Sequence, residues 1–318
     1  MERRLAKNEP KTHMGGDIFE AKGIQLHHIR EVSEADLELL QSKFKFHHLD
    51  YEDIRSQTPI SKMDAYKHYL FFVFHIPAVN EDTGYLYGEE LFVFLSQEGL
   101  VTITQKPIPA LEDIISRIEK STKFRSLLLG KGTAFCLQRI LGEIFRDSLS
   151  IVADLTLEVR RLEAAIEVQH DKRLTVDLGH ARRNILFLRQ VIDPQRAILS
   201  SLSNLKRTFV SEEMAVYFDD VHDVLDSIWL STDNLKLIID GLFDVNEALL
   251  SHRTNEVVTL LTFISAALMV PTLIAGFYGM NVPWLPYATD ARFVSLAYLV
   301  GFLGMVLVVV AIIRRSGR

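Results

Sequence analysis

The chain has 318 residues at net charge −6, with 24% charged and 48% hydrophobic side chains, enough for one large or two modest domains with a sizeable core. Its one cysteine, Cys136, excludes an internal disulfide and suits a reducing compartment, where it reads as a core residue. The average composition looks soluble but hides an asymmetry, because the apolar residues are concentrated towards the C-terminal end.

The opening stretch MERRLAKNEPKTHMGG lacks the apolar core of a signal peptide, so export of the following cytoplasmic-type region is not expected. IQLHHIREV (24–32), YLFFVFHIPAV (Tyr69–Val79) and the pair EELFVFLS and LVTITQ around Gln97, Glu98 and Gly99 are β-rich runs, the last two joined by a turn. Between the first two, SEADLELLQSKFK has helical periodicity, with Ser33 placed as an N-cap. These elements predict a small α/β domain over about residues 17–121.

From Thr133 onward strand signals stop. Thr133–Val168 predicts one long helix, in which LTLEVRRLEAAI places apolar residues three and four apart. A second is expected over 174–205, kinked at Pro194 because an interior proline removes a backbone hydrogen bond. A third starts near Ser211 and meets no proline until Pro271; unbroken, it would be roughly 100 Å long. Such a helix needs partners along its length, in a bundle or an oligomeric stalk. Residues 211–256 hold eleven acids against Lys236 and Arg253, net −9, which leaves +3 for the rest of the chain. The concentration of acids reads either as a solvated helix face or as an attractor of cations on the approach to the membrane.

Residues 257–278 and 293–313 are free of charge over 22 and 21 positions. Each makes a helix of about 32 Å, long enough for the ~30 Å hydrocarbon core, so the two predict a transmembrane hairpin. Arg253 precedes the first span and Arg314, Arg315 and Arg318 follow the second, whereas the loop carries Arg292 offset by Asp290. The positive-inside rule then places both termini in the cytoplasm.

Steps of three and four residues along the first span connect Asn255, Val258, Thr262, Ser265, Met269, Thr272, Gly276 and Gly279. This face gathers hydroxyls and glycines, while neighbouring faces carry mainly Leu, Ile, Phe and Val. Such a stripe serves either an ion path or close helix packing. The second span is nearly featureless and suits an outer, lipid-facing layer, with Gly301 and Gly304 letting it lie close to the first. One hairpin cannot enclose a pore, so conduction would require an oligomer in which each stripe residue becomes a ring. Neutral oxygens, with Asn281 at the outer mouth, suit hydrated Mg²⁺. No Cys or His lies on the stripe for a softer metal.

Gly279, Met280 and Asn281, preceded by Tyr278 at the end of the first of two C-terminal spans, resemble the signature of CorA-type magnesium transporters. NEVVTLLTF and PTLIAGFYGMN look like that family's first span, and the resemblance covers the whole architecture. It implies a homopentameric funnel: an α+β cytoplasmic domain (1–130), a helical region with a long stalk helix (131–256), and a hairpin of two transmembrane helices with an outer loop and basic tail (257–318). It further implies a multi-pass protein of the cell's inner membrane that carries Mg²⁺, and also Co²⁺ or Ni²⁺, under control of cytoplasmic Mg²⁺. No organic cofactor, no nucleic-acid partner and no enzymatic activity are expected. By the resemblance, Gly279, Met280 and Asn281 form the outer ion-binding ring, with Asn281 as metal contact. Asn255, Met269 and Thr272 line the pore, Val258 and Leu261 make its hydrophobic constriction, and Asp244 matches a carboxylate that binds regulatory Mg²⁺ between subunits. Where the family's magnesium members continue with Met-Pro-Glu, this chain has Leu285, Pro286 and Tyr287, which resembles the zinc-associated ZntB-like branch, with transport coupled to protons.

Two other classes compete. For an enzyme, LGKGT (129–133) lacks the glycine spacing of a phosphate loop. The pairs His27 with His28 and His47 with His48 are adjacent, and on a strand the first pair would face opposite ways. A membrane-anchored scaffold would explain the helices but neither the stripe nor the signature.

Overall fold

The computed structural model describes residues 16–56, 58–168, 172–203, 212–280 and 291–316. It divides into two compact units, Met1–Phe243 and Asp244–Arg318.

A six-stranded sheet organises the first unit: β1 (Asp17–Ala21), β2 (Ile24–Ile29), β3 (Lys62–Ala65), β4 (Tyr69–Val79), β5 (Leu86–Ser96) and β6 (Gly99–Thr104), in spatial order β1-β2-β6-β5-β4-β3. Only β2 and β6 run parallel. Both faces of the central strands are covered, which is why their sequences read as continuous apolar runs instead of alternating ones. Phe71, Val73, Phe92 and Phe94 join Leu37 and Leu40 of α1 (Glu34–Lys43) and Tyr51 and Ile54 of α2 (His48–Arg55) in one core. Leu70, Phe72, Phe74, Leu91, Val93 and Leu95 are fully buried on the alternate positions, where Phe74 meets Phe145 of α5 (Thr133–Val168) edge-on at 6.2 Å. Helices α3 (Pro109–Lys120) and α4 (Thr122–Leu129) complete the layer against α5.

Ser33 caps α1, accepting from the Asp36 backbone N–H while the Asp36 side chain returns the bond. His27 and His28 do face opposite ways. His28 contacts Thr102 Oγ1 (2.9 Å) and Glu112 Oε1 (3.1 Å), whereas the His27 ring meets Phe44 of the α1 C-cap edge-on. The hydrogen bond from His28, joined by Arg30, holds the Glu112 carboxyl below its usual range. The LGKGT segment is the turn into α5, where Gly132 adopts a φ of 114° and Thr133 donates to the Ser96 carbonyl. Cys136 is fully buried, as expected of a core residue.

β3 pairs with β4 only at Leu70–Val73, and the edge beyond it is closed by other means. The His75 N–H donates to Ser61 Oγ (3.2 Å), Gln195 Nε2 donates to the His75 carbonyl (2.9 Å), and Pro77 has no N–H to offer.

Asp50 is fully buried and accepts from Tyr66 Oη (2.7 Å) and Tyr69 Oη (2.6 Å), while Tyr69 Oη accepts from the His47 N–H. Removing the carboxylate leaves both phenol O–H donors without their acceptor, so Asp50→Ala is expected to cost about 2–4 kcal/mol. A thermal melt of the detergent-solubilised chain that shifts no more than a surface substitution would refute this. Burial raises the Asp50 pKa against the two tyrosine bonds, which lower it. The folded state thus holds the Asp50 proton more tightly than the unfolded chain. This contribution is full below the ordinary aspartate pKa and is lost as pH rises through the folded value. Asp50→Asn should remove that component of the pH dependence.

Three long helices follow: α5, α6 (Lys172–Ser203) and α7 (Glu212–Tyr278). α5 matches its expected bounds, and α6 stays helical through Pro194, where the proline leaves the Gln190 carbonyl without its usual donor. Buried positions recur in alternating steps of three and four on all three: Leu141 to Ile166 in α5, Leu174 to Leu202 in α6, and Phe218, Val221, Leu225, Ile228, Thr232, Leu235, Ile239 and Leu242 in α7. This is the heptad repeat of helices packed side by side, and it supplies the partners that a helix as long as α7 requires. Asn184 fastens α6 to the β4–β5 connection, accepting from the Leu86 N–H and donating to the Gly84 carbonyl, both at 2.9 Å.

The acids of α7 are less free than the sequence suggests. Asp220 pairs with Arg146 of α5, and Asp226, Asp233 and Asp240 pair with Arg196, Arg189 and Arg182 of α6. Among the described residues, these four acids are thus paired with arginines within the chain. Asp226, Asp233 and Asp240 are about two-thirds covered in these pairs, whereas Asp220 stays 61% exposed, on a solvated face as expected.

Candidate functional site

The second unit holds the end of α7 and all of α8 (Ala291–Ser316). Val216–Tyr278 of α7 is long and apolar enough to cross a membrane, and its most apolar window has none of its residues buried.

The two faces of this stretch differ. Phe263, Ala267, Val270, Pro271, Ile274 and Tyr278 are partly covered and recur at helical spacing. A Cβ on Gly301 of α8 would lie 3.1 Å from the side chains of both Val270 and Ile274, so glycine is what permits the close approach of α8 to this face. Gly304, expected to share that role, has nothing within 4 Å of its Cβ position among the described residues. Two residues before each covered position, about 200° around the helix, lie Leu261, Ser265, Leu268, Met269, Thr272 and Gly276, all exposed. Asn255, Val258 and Thr262 are exposed as well, so every expected pore-lining residue lies on surface that α8 leaves open.

Thr262 and Thr272 donate their hydroxyl protons to the Val258 and Leu268 carbonyls, at 2.7 and 2.6 Å. With the proton engaged, each hydroxyl oxygen turns its lone pairs outward as an acceptor, the polarity a hydrated cation needs. A groove of about 660 Å³ follows Ser265, Met269, Thr272, Gly276 and Met280, with Leu268, Leu273 and Phe277 as apolar walls. Those three walls were not singled out from the sequence, although they lie one helical step from the stripe.

The helix ends where the signature begins. Gly279 N–H donates to the Ala275 carbonyl at 2.8 Å, and a Cβ on Gly279 would sit 2.7 Å from that same oxygen. Only glycine closes the helix this tightly. Asn281 and the loop that follows lie outside the described residues. Asp244 is exposed at the start of the second unit. Among the described residues one acidic trio comes close enough to share an ion, Asp50, Asp53 and Asp64 of the sheet unit. The Lys62 ammonium already lies 2.6 Å from Asp53 and 3.1 Å from Asp64.

A family model for CorA-like Mg²⁺ transporter proteins matches residues 22–315. The chain belongs to the CorA-like family. Members are membrane transporters of divalent cations and not enzymes. One relative within it, the cobalt/magnesium transport protein CorA of Thermotoga maritima, is 27% identical over 76% of this chain and 68% of its own. The complete structure of the CorA magnesium transporter from Methanocaldococcus jannaschii superposes with a TM-score of 0.77 at 20% identity, covering 91% of each chain. The ZntB cytoplasmic domain from Vibrio parahaemolyticus is more distant, with a TM-score of 0.60 at 10% identity over 74% of this chain and 90% of its own. The CorA fold therefore accounts for the sheet unit, the long helices and the C-terminal segment together.

Proposed function

We propose that the chain is a homopentameric channel of the cytoplasmic membrane that admits Mg²⁺, and with it Co²⁺ or Ni²⁺. The observation that carries this reading is the uncovered stripe of α7 opposite the face that holds α8. In a ring of five copies the stripes would face one another and line a path, with α7 inside and α8 between it and lipid. Residues 1–130 and 131–256 then form the cytoplasmic funnel and 257–318 the membrane hairpin, with both termini inside. The membrane potential suffices as driving force: a divalent ion gains about 4.6 kcal/mol per 100 mV, worth more than a thousandfold in concentration. Asn281, beside Gly279 and Met280, supplies the outer ring of amide oxygens, and the Thr262, Ser265 and Thr272 oxygens line the path inward. Val258 and Leu261 form the constriction, and Asp244 carries regulatory Mg²⁺ between subunits.

Flux of Mg²⁺, Co²⁺, Ni²⁺ and Zn²⁺ into proteoliposomes, with and without a proton gradient, tests the reading. Mg²⁺ entry indifferent to the gradient is expected, with weaker inhibition by internal Mg²⁺ in Asp244→Ala; unaltered inhibition there would remove that site. Zinc entry that requires the proton gradient, without Mg²⁺ flux, would instead support the ZntB-like reading, which the Leu285, Pro286 and Tyr287 loop favours. Absence of any divalent flux would leave a scaffold.

A further inference from the structure

Where α4, α5 and the start of α7 meet, all within the first unit, lies a groove of about 560 Å³, a size that suits a small organic ligand. Phe124 of α4, Phe135, Gln138 and Arg139 of α5, and Tyr217 of α7 line it, the α5 residues sharing one face at three- and four-residue spacing. The Phe135 and Tyr217 rings stand 5.8 Å apart at 84°. They form a right-angled corner, in which a flat ring stacked on one meets the other edge-on, the two favoured aromatic contacts. Tyr217 is 44% exposed, whereas Gln138 is 3% exposed and its Oε1 has no hydrogen-bond partner among the described residues. The rim is basic. Residues 117–139 hold six Lys and Arg against one acid, Glu119, net +5 in a chain of net −6. Arg139 shares its carboxylate, Glu143 (3.3 Å), with Arg117 (2.9 Å). Lys131 lies over the Phe135 ring at 4.7 Å and has no carboxylate partner among the described residues. The larger cavity against α6, about 1070 Å³, differs in this respect, since Lys106 there is held by Glu89 (3.4 Å) and Arg189 by Asp233.

We propose that this groove binds a purine nucleotide, with the base in the Phe135–Tyr217 corner, its edge on the Gln138 amide, and the phosphate against Lys131 and Arg139. Rotation of the terminal amide turns the Gln138 oxygen and nitrogen towards the groove, and a glutamine amide matches an adenine edge, which carries a donor beside an acceptor. Lys131 belongs to the LGKGT segment, which lacks the spacing of a phosphate loop. The groove needs no such loop, because side chains and not a backbone cradle meet the phosphate. Because α7 supplies one wall, an occupied groove ties the start of that helix to α4 and α5 and stabilises their arrangement. This site is independent of the channel reading.

Calorimetric titration of AMP, adenosine and ribose 5-phosphate into the detergent-solubilised full-length chain tests this. AMP is expected to bind with a Kd of about 100 µM or tighter. Adenosine and ribose 5-phosphate should each bind about tenfold more weakly, since each lacks one half of the contacts. Tyr217→Ala should weaken AMP and adenosine alike, by about tenfold. Lys131→Gln should weaken AMP and leave adenosine unchanged, as should raised salt. Both side chains are exposed, so the variants should fold. Lys106→Gln, a lysine over the Tyr87 ring in the other cavity, should change nothing. Absence of saturable AMP binding, or binding that neither Tyr217→Ala nor Lys131→Gln alters, would overturn the proposal. Ribose 5-phosphate that binds as tightly as AMP would overturn the base contact and leave a plain anion patch, and adenosine that binds as tightly as AMP would overturn the phosphate contact.

Discussion

Asn281→Ala is expected to abolish divalent flux while the oligomer still assembles. A hydrated Mg²⁺ sheds its water reluctantly, so a selective mouth must hold it through that shell with well-placed acceptors. In the proposed pentamer each copy supplies one amide oxygen from Asn281 beside the tight helix end at Gly279. Five such contacts at about 1 kcal/mol each amount to roughly 5 kcal/mol, more than a thousandfold in occupancy. Alanine removes all five at once and leaves the helix end and the packing of α7 on α8 untouched. A Mg²⁺-sensitive dye inside proteoliposomes reads the flux, and native gel migration reads assembly. Normal flux through an assembled variant would take the signature out of the mechanism.

Leu261→Asn should have the opposite effect, a leak that internal Mg²⁺ no longer closes. Leu261 and Val258 are 61% and 54% exposed in the single chain, which is costly for a purely cytoplasmic surface and natural for side chains that meet at a shared axis. A narrow apolar ring closes a pore by excluding water, without any moving plug. Asparagine on each copy would wet that ring, and flux at inhibitory internal Mg²⁺ should rise by about tenfold or more. Flux that remains fully inhibited would mean that the constriction lies elsewhere on the stripe.

Residues with one dominant physical role were readable from the sequence. YLFFVFHIPAV and Thr133–Val168 matched their elements because continuous burial and heptad spacing leave an unambiguous pattern. The edge strands DIFEA and KMDA escaped notice because an edge needs no apolar run, and α2, α3 and α4 because each is short and its apolar face is set by the sheet it covers. At the site, the stripe could be traced by counting residues. That its opposite face carries α8 could not, since this depends on which glycine meets which side chain, and Gly301 and Gly304 look alike in sequence while only Gly301 sits at the contact. The aspartates of α7 make the same point more sharply. Their number was in view, but an acid's partner on another helix is invisible until the helices are set side by side.

The common repeat of α5, α6 and α7 also makes length itself a modular property. One heptad removed from the far end of α5, together with one from the adjoining end of α6, would shorten that hairpin by about 10 Å and return every remaining buried position to its seam. Removing two or five residues would instead turn the seam by about 140–160° towards water. Insertions and deletions in this arm should therefore be tolerated in steps of seven, so that related chains can differ in reach by whole heptads without redesigning the contacts nearer the sheet.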